Sequence, residues 1–276
     1  MSGWGQGTIN NTIGWGQGST NDIGWGAIYA DSPSGDTAIS APSFTNVYSA
    51  SFDGADDYIT TDATYSVLDG LDKMSISLWV KPDNLSLYQF LMSSIRNAIL
   101  NNFQFCVVLS TTGEIRFFTE TTGIYTYTNT SVITAGTWHH VLICLDKTQA
   151  VNANRCRIYV NGADATGGFN NQGTASLYTS TSNLSFGINQ NGKYDEFGGN
   201  LDEVSIWADT QLTSGDATTL YNSGTPTNLE DFATLPDNWW RMGETDSGTG
   251  TTLTDVLGSA DATLINDTAY TEDVPT

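Results

Sequence analysis

The chain has 276 residues, with nine Lys and Arg against thirty Asp and Glu, for a formal charge of -21. Such a surface repels phosphate backbones and anionic bilayers, which argues against nucleic-acid binding. No run reaches the ~18 apolar residues of a membrane span, and the start shows neither the basic nor the apolar region of a signal peptide, so no membrane insertion and synthesis in the cytoplasm without Sec-type export are expected.

The first twenty-six residues repeat one pattern: Gly3-Trp4-Gly5-Gln6-Gly7, Gly14-Trp15-Gly16-Gln17-Gly18 and Gly24-Trp25-Gly26, with Ile13 and Ile23 ending the polar spacers. Glycine on both sides of each Trp makes ordering the backbone costly, and the segment has too few apolar residues for a core of its own. Burying a Trp removes roughly 150–250 Å² from water, so at about 25 cal/mol/Å² three rings offset several kcal/mol of ordering cost, provided a partner receives them. A disordered Gly-rich linker is the alternative. The regular spacing instead predicts an assembly arm making repeated contacts through Trp4, Trp15, Trp25, Ile13 and Ile23. Like arms wrapped around one axis predict a homo-oligomer, a trimer foremost; single arms entering pockets of another protein are the alternative.

Residues 30–37 are turn-forming throughout and Ala41-Pro42 closes them, which predicts an arm over 1–41 and one domain over 42–276. From there the chain runs in short alternating or apolar segments separated by Gly, Asn, Asp and Thr: Ser75–Val80, Phe103–Leu109, Glu114–Phe118, Trp138–Leu145, Arg157–Val160, Leu184–Ile188 and Leu201–Trp207. A single helix is predicted over Leu212–Tyr221, with Thr213 as N-cap, Asp216 in the capping-box position, and Gly224 and Pro226 ending it. Cys106, Cys144 and Cys156 each lie in or beside an apolar run and read as buried, reduced thiols with no zinc spacing. The pattern as a whole predicts an all-β sandwich.

Four blocks in order, Ser75–Pro82, Trp138–Val141, Arg157–Gly162 and Gly199–Trp207, make residues 43–270 resemble the laminin-G-like, concanavalin A-like domains near pentraxins. The opening Ser51-Phe52-Asp53-Gly54 and the helix end Leu220-Tyr221-Asn222 fit as well. The resemblance implies a two-sheet antiparallel jelly roll whose first and last strands pair, Ser49–Phe52 lying beside Trp239–Met242 or Ala262–Leu264. The Gly-Trp repeats, Ile28–Ser32, Gly35–Thr37 and the string Trp239–Gly243 also resemble structural proteins of tailed bacteriophages, which implies a virion surface protein bound through its arm to capsid or tail proteins.

The jelly roll also hosts glucanases, whose likeness would require Glu-x-Asp-x-Glu on one strand face. That run is absent; the nearest approach is Glu244-Thr245-Asp246, in a Gly/Thr turn. His139 and His140 are neighbours on a strand and point to opposite faces, so they form no dyad. No enzyme is expected, and no cofactor. Pentraxin-like relatives imply calcium on a loop matching Gly187–Asn191, where Asn189, Gln190 and Asn191 stand at positions that call for Glu, Gln and Asp. Each lost charge weakens a hard-cation site, so any calcium would be bound loosely unless Asp195 or Glu196 turns in, and a solvated acidic loop is the alternative. Asp53, Asp56 and Asp57 read as turn residues, and Asp202 and Glu203 as fixing a strand start.

Glycan binding by such domains uses aromatic and amide side chains on loops. The candidates are Tyr88, Tyr125, Tyr127, Phe169, Asn170, Asn171 and Tyr194, all in segments read as turn-rich. The expected function is a non-enzymatic display protein, with a tail-fibre receptor-binding lectin as the next reading and an extracellular carbohydrate-active enzyme as the third.

Overall fold

The computed structural model describes residues 28–30, 37–39, 44–97, 102–121, 123–189 and 196–276. The chain divides into two compact units, Met1–Thr45 and Asn46–Thr276. In the first, Ile28–Ala30 (β1) and Thr37–Ile39 (β2) pair antiparallel on either side of residues 31–36. Trp4, Trp15, Trp25, Ile13 and Ile23 lie outside the described residues.

The second unit begins with β3 (Ser49–Asp53), β4 (Tyr58–Thr64), β5 (Lys73–Pro82), β6 (Gln89–Asn97), β7 (Asn102–Leu109), β8 (Ile115–Thr121) and β9 (Tyr125–Thr128). It continues through β10 (His139–Asp146), the single turn α1 (Asn152–Arg155), β11 (Cys156–Val160), β12 (Ala163–Asp164), β13 (Thr166–Phe169), β14 (Asn183–Phe186) and β15 (Gly198–Ala208). The helix α2 (Ser214–Tyr221) and the strands β16 (Asn238–Trp240), β17 (Thr252–Leu253), β18 (Ala262–Ile265) and β19 (Ala269–Thr271) complete it.

Two antiparallel sheets result. The first runs β12-β11-β10-β5-β15-β3-β19, with β16 also on β15; the second runs β13-β9-β8-β7-β6-β14-β4-β18-β17. Alternate residues of both turn into one core, where Ile76, Leu78, Val80, Val141, Ile143 and Leu145 of the first sheet meet Met92, Phe105, Val107, Ile115, Phe117 and Phe186 of the second. This is the predicted all-β sandwich, and the period of two in each strand explains it.

The outer faces differ. On the first sheet, β10 is buried at every position because its outward residues are covered as well. There the Trp79 ring lies 5.9 Å from Tyr221 of α2, and the His140 ring 6.4 Å from it. The helix is placed by the predicted capping box: Thr213 accepts from the Asp216 backbone and the Asp216 carboxylate accepts from Thr213. The second sheet carries on its outer face a smaller apolar cluster, Ile95, Phe103, Cys106 and Val108, flanked by Phe90 and Phe118.

The pairing of the chain's ends corrects the sequence expectation. Ser49–Asp53 lies beside neither Trp239–Met242 nor Ala262–Leu264; its neighbours are β15 and β19, with Ser49 opposite Thr271. The reason is the length of β15. Its first residues, Gly198–Leu201, pair with β3, and Val204–Ile206 pair with β16 along the same edge, so β3 and β16 follow one another instead of pairing. An irregularity after Asp202, with Glu203 at φ 48°, marks the change of partner. Cys106, Cys144 and Cys156 are all buried and free, and burial pushes the Cys156 thiol up to about 12.

Candidate functional site

Strands β8 and β9 pair with Arg116 opposite Tyr127 and Phe118 opposite Tyr125. Alternation sends Ile115 and Phe117 inward, leaving Arg116, Phe118, Tyr125 and Tyr127 on the outer face of the second sheet. The rings of Phe118 and Tyr125 lie 4.8 Å apart and those of Tyr125 and Tyr127 5.8 Å apart, so the strand pair presents a continuous aromatic strip. The Arg116 guanidinium lies 5.2 Å from the centre of the Tyr88 ring and 5.9 Å from that of Tyr125.

Arg116 is held from the turn that leads into its strand. Its Nε and Nη2 donate to Glu114 Oε2 at 3.1 and 2.7 Å. Ser110 Oγ donates to the same oxygen at 3.3 Å. Burial works against the charge on Arg116, yet the hydrogen bonds and charge of Glu114 hold its pKa above the usual value. Opposite Tyr127 stands Gly168, where a Cβ would lie 2.7 Å from the phenol oxygen; glycine leaves the room that the Tyr127 side chain occupies. Glu114, Arg116, Tyr125, Tyr127, Phe169 and Asn170 thereby line an open cleft of about 530 Å³.

Of the residues predicted for glycan contact, Tyr125, Tyr127, Phe169 and Asn170 line this cleft, and Tyr88 reaches its edge through Arg116. The turn-rich reading of Tyr125, Tyr127 and Phe169 is corrected, because they belong to β9 and β13. Tyr-Thr-Tyr-Thr over 125–128 is itself a period-two pattern, masked by the Thr, Gly and Asn around it. Asn171 is engaged in the turn, its Oδ1 accepting from Gly173 N at 3.2 Å. Tyr194 lies outside the described residues. Glu114 and Arg116 were missed by the sequence reading, although two charged residues spaced i, i+2 on a strand in a chain so poor in cations are the signal that reveals them.

The family model for the concanavalin A-like lectin/glucanases superfamily (Laminin_G_3) matches residues 53–216, more than half of the chain. The chain belongs to this superfamily. A heptameric SAP-like pentraxin from Limulus polyphemus is similar in structure at a TM-score of 0.51 and 15% identity, over 79% of this chain and 94% of that one. A Bacteroides ovatus protein provisionally described as carbohydrate binding is similar at a TM-score of 0.61 and 14% identity, over 87% of this chain and 68% of that one. At these identities the likeness is one of fold. No curated protein matches the chain.

In this member of the concanavalin A-like superfamily the other candidate groups are bound into the fold. Ser77 Oγ and His140 Nε2 lie 2.8 Å apart, but the pair is buried, and among the described residues His140 Nδ1 has no partner to orient the ring. His139 is turned elsewhere, towards Thr134 and Asn161. Two carboxylate groups have metal-ligand spacing, Asp53 with Asp56 and Asp57, and Asp202 with Glu203 and Glu244. In the first, Asp53 Oδ1 accepts from Ala55 N at 2.8 Å, and Asp57 accepts from Asp53 N and Asp267 N, each at 2.9 Å, which is the expected turn role.

In the second, Glu203 accepts from Trp239 Nε1 and Arg241 Nε, Asp202 from Asn46 Nδ2, and Glu244 from the backbone of Val47 and Tyr48. These bonds join the β15 irregularity to the segments on both sides of it. Burial, with the Glu203 charge beside it, raises the Asp202 pKa, and burial lifts Glu203 to about 7 although Arg241 works against it. Asp246, like Glu244, is engaged by the backbone, accepting from Thr254 N at 3.0 Å. Of the predicted calcium ligands, Asn189 is buried and Glu196 half-buried, while Gln190, Asn191 and Asp195 lie outside the described residues.

Proposed function

We propose that the sandwich is a glycan-binding domain whose site is the Arg116 cleft, and that it carries out no chemistry on its ligand. The observation that carries this reading is the aromatic strip of Tyr125, Tyr127 and Phe169 set around three polar side chains, Glu114, Arg116 and Asn170. A sugar ring offers apolar C–H faces and a rim of hydroxyls, and this lining answers both. Exposure supports it: among the described residues, Tyr88 at 40% and Phe169 at 38% are two of the few large apolar side chains left in solvent. None of the cleft's lining residues belongs to the segment compared with the pentraxin-like calcium loop, so the proposed site calls for no calcium.

The setting that fits the sequence is display on a tailed-phage particle, with the arm of residues 1–41 seated on capsid or tail proteins. The Gly-Trp repeats and the Trp239–Gly243 string support that setting.

Glycan-array screening of the full chain, in calcium and in chelator, tests the reading. Binding is expected in both, with no hydrolysis of the bound glycan, and Tyr127→Ala and Arg116→Ala should each lower affinity tenfold or more at nearly unchanged melting temperature. Binding untouched by both substitutions places the ligand elsewhere; product release marks an enzyme.

A further inference from the structure

Resting on that reading, we infer that the cleft selects neutral, hydroxyl-rich glycans and rejects acidic ones, with Glu114 and Arg116 together acting as a reader of adjacent hydroxyls. All the hydrogen bonds of the Glu114 carboxylate fall on Oε2, and those of Arg116 leave from Nε and Nη2. Among the described residues Glu114 Oε1 accepts no hydrogen bond and Arg116 Nη1 donates none. Two residues of the cleft lining therefore carry one acceptor oxygen and one two-proton donor that no protein group engages among the described residues.

A hydroxyl both donates and accepts, so two neighbouring hydroxyls on a sugar satisfy Oε1 and Nη1 at once. A carboxylate or sulfate only accepts. It would satisfy Nη1 but bring its own charge against Glu114 Oε1, inside a chain of net charge -21. The ion pair also removes the local excess of positive charge that an anionic sugar would seek, since Nη2 lies 2.7 Å from the carboxylate. Asn170, exposed at the end of β13, adds a further neutral side chain that both donates and accepts. The two hydrogen bonds to Glu114 Oε2 and the nearby rings of Tyr88 and Tyr125 restrain the guanidinium before a ligand arrives.

The test uses matched probes: lactose against sialyllactose, and a neutral galactan against its sulfated form, titrated into the full chain at 50 and 500 mM salt. The neutral member of each pair should bind at least tenfold more tightly, with an affinity that changes less than about twofold over that salt range. Glu114→Gln should reverse the order, weakening the neutral probes and strengthening the acidic ones, because it frees the Arg116 charge. Preference for the acidic members by the native chain, or affinity that falls steeply with salt, overturns the inference and leaves glycan binding standing. Failure of every neutral and acidic glycan to bind, here and on the array, overturns the glycan reading and the inference with it. The native chain alone decides between these outcomes if Glu114→Gln fails to fold.

Discussion

The imidazole of His140 has one hydrogen-bond partner, Ser77, and is 1% exposed, a combination that holds it neutral. Burial lowers its pKa to about 3. The unfolded chain protonates near the ordinary value of about 6.5, so it binds more protons than the fold as pH drops below that value. The stability this group contributes is present above about pH 6.5 and is lost as pH falls, at up to about 1.4 kcal/mol per pH unit. Glu203 works in the opposite sense. Its raised pKa of about 7 adds stability that is full below the unfolded carboxylate range and disappears as pH rises through 7. Urea unfolding at pH 7, 6 and 5 should therefore show a shallower acid limb for His140→Gln than for the native chain, and a steeper one for Glu203→Gln. Equal slopes in native and His140→Gln protein would mean that the imidazole titrates alike in the folded and unfolded chain. Alternation along the strand was enough to separate His139 from His140; the depth of burial was not legible, because Tyr221 of α2, which packs on His140, lies far along the chain from it.

The helix α2 was legible down to its cap, since the signal is local: a hydroxyl, a carboxylate three residues on, and a glycine beyond the end. Removing the cap by Thr213→Ala should cost about 1 kcal/mol, read as a lower urea midpoint with an unchanged slope. A larger loss is expected at Asp255, whose two oxygens accept from Asn238 Nδ2, Trp239 N, Gly258 N and Ala260 N at 2.5 to 3.0 Å. Asp255→Asn replaces one acceptor by a donor facing donors, and about 2–4 kcal/mol should be lost. A change below 0.5 kcal/mol would show that the loop closes without this carboxylate. Nothing in the sequence singled out Asp255, because its four partners are defined only once β16 and the loop after β17 have come together. The same limit hid the place of β3, which depends on β15 serving two neighbours in turn. For the cleft, the aromatic residues were found by type, whereas Glu114 and Arg116 were passed over despite their i, i+2 spacing, and the register of β8 against β9, which sets Arg116 opposite Tyr127, shows what they face.

At the scale of the whole molecule, the proposed division of labour is between an arm that holds and a sandwich that reads. Deletion of residues 1–30 should leave a soluble domain of unchanged melting temperature that no longer enters particles and no longer forms the trimer proposed for the full chain. Native mass measurement at micromolar concentration checks the second point: a full-length monomer counts against arm-driven assembly, and a trimer that survives the deletion places the contact on the sandwiches. Mutual repulsion of domains carrying most of a net charge of -21 would splay them outward from the arm.

The pairing of β3 with β19 has a separate consequence. Ser49 stands opposite Thr271, and its hydroxyl donates to the carbonyl of Asp273, so the two ends of the sandwich are stitched together at one edge. A body whose entrance and exit coincide can be spliced into a surface bend of some unrelated host as a detour, leaving both halves of that host undisturbed. Joining its ends and cutting it open elsewhere should leave it equally whole.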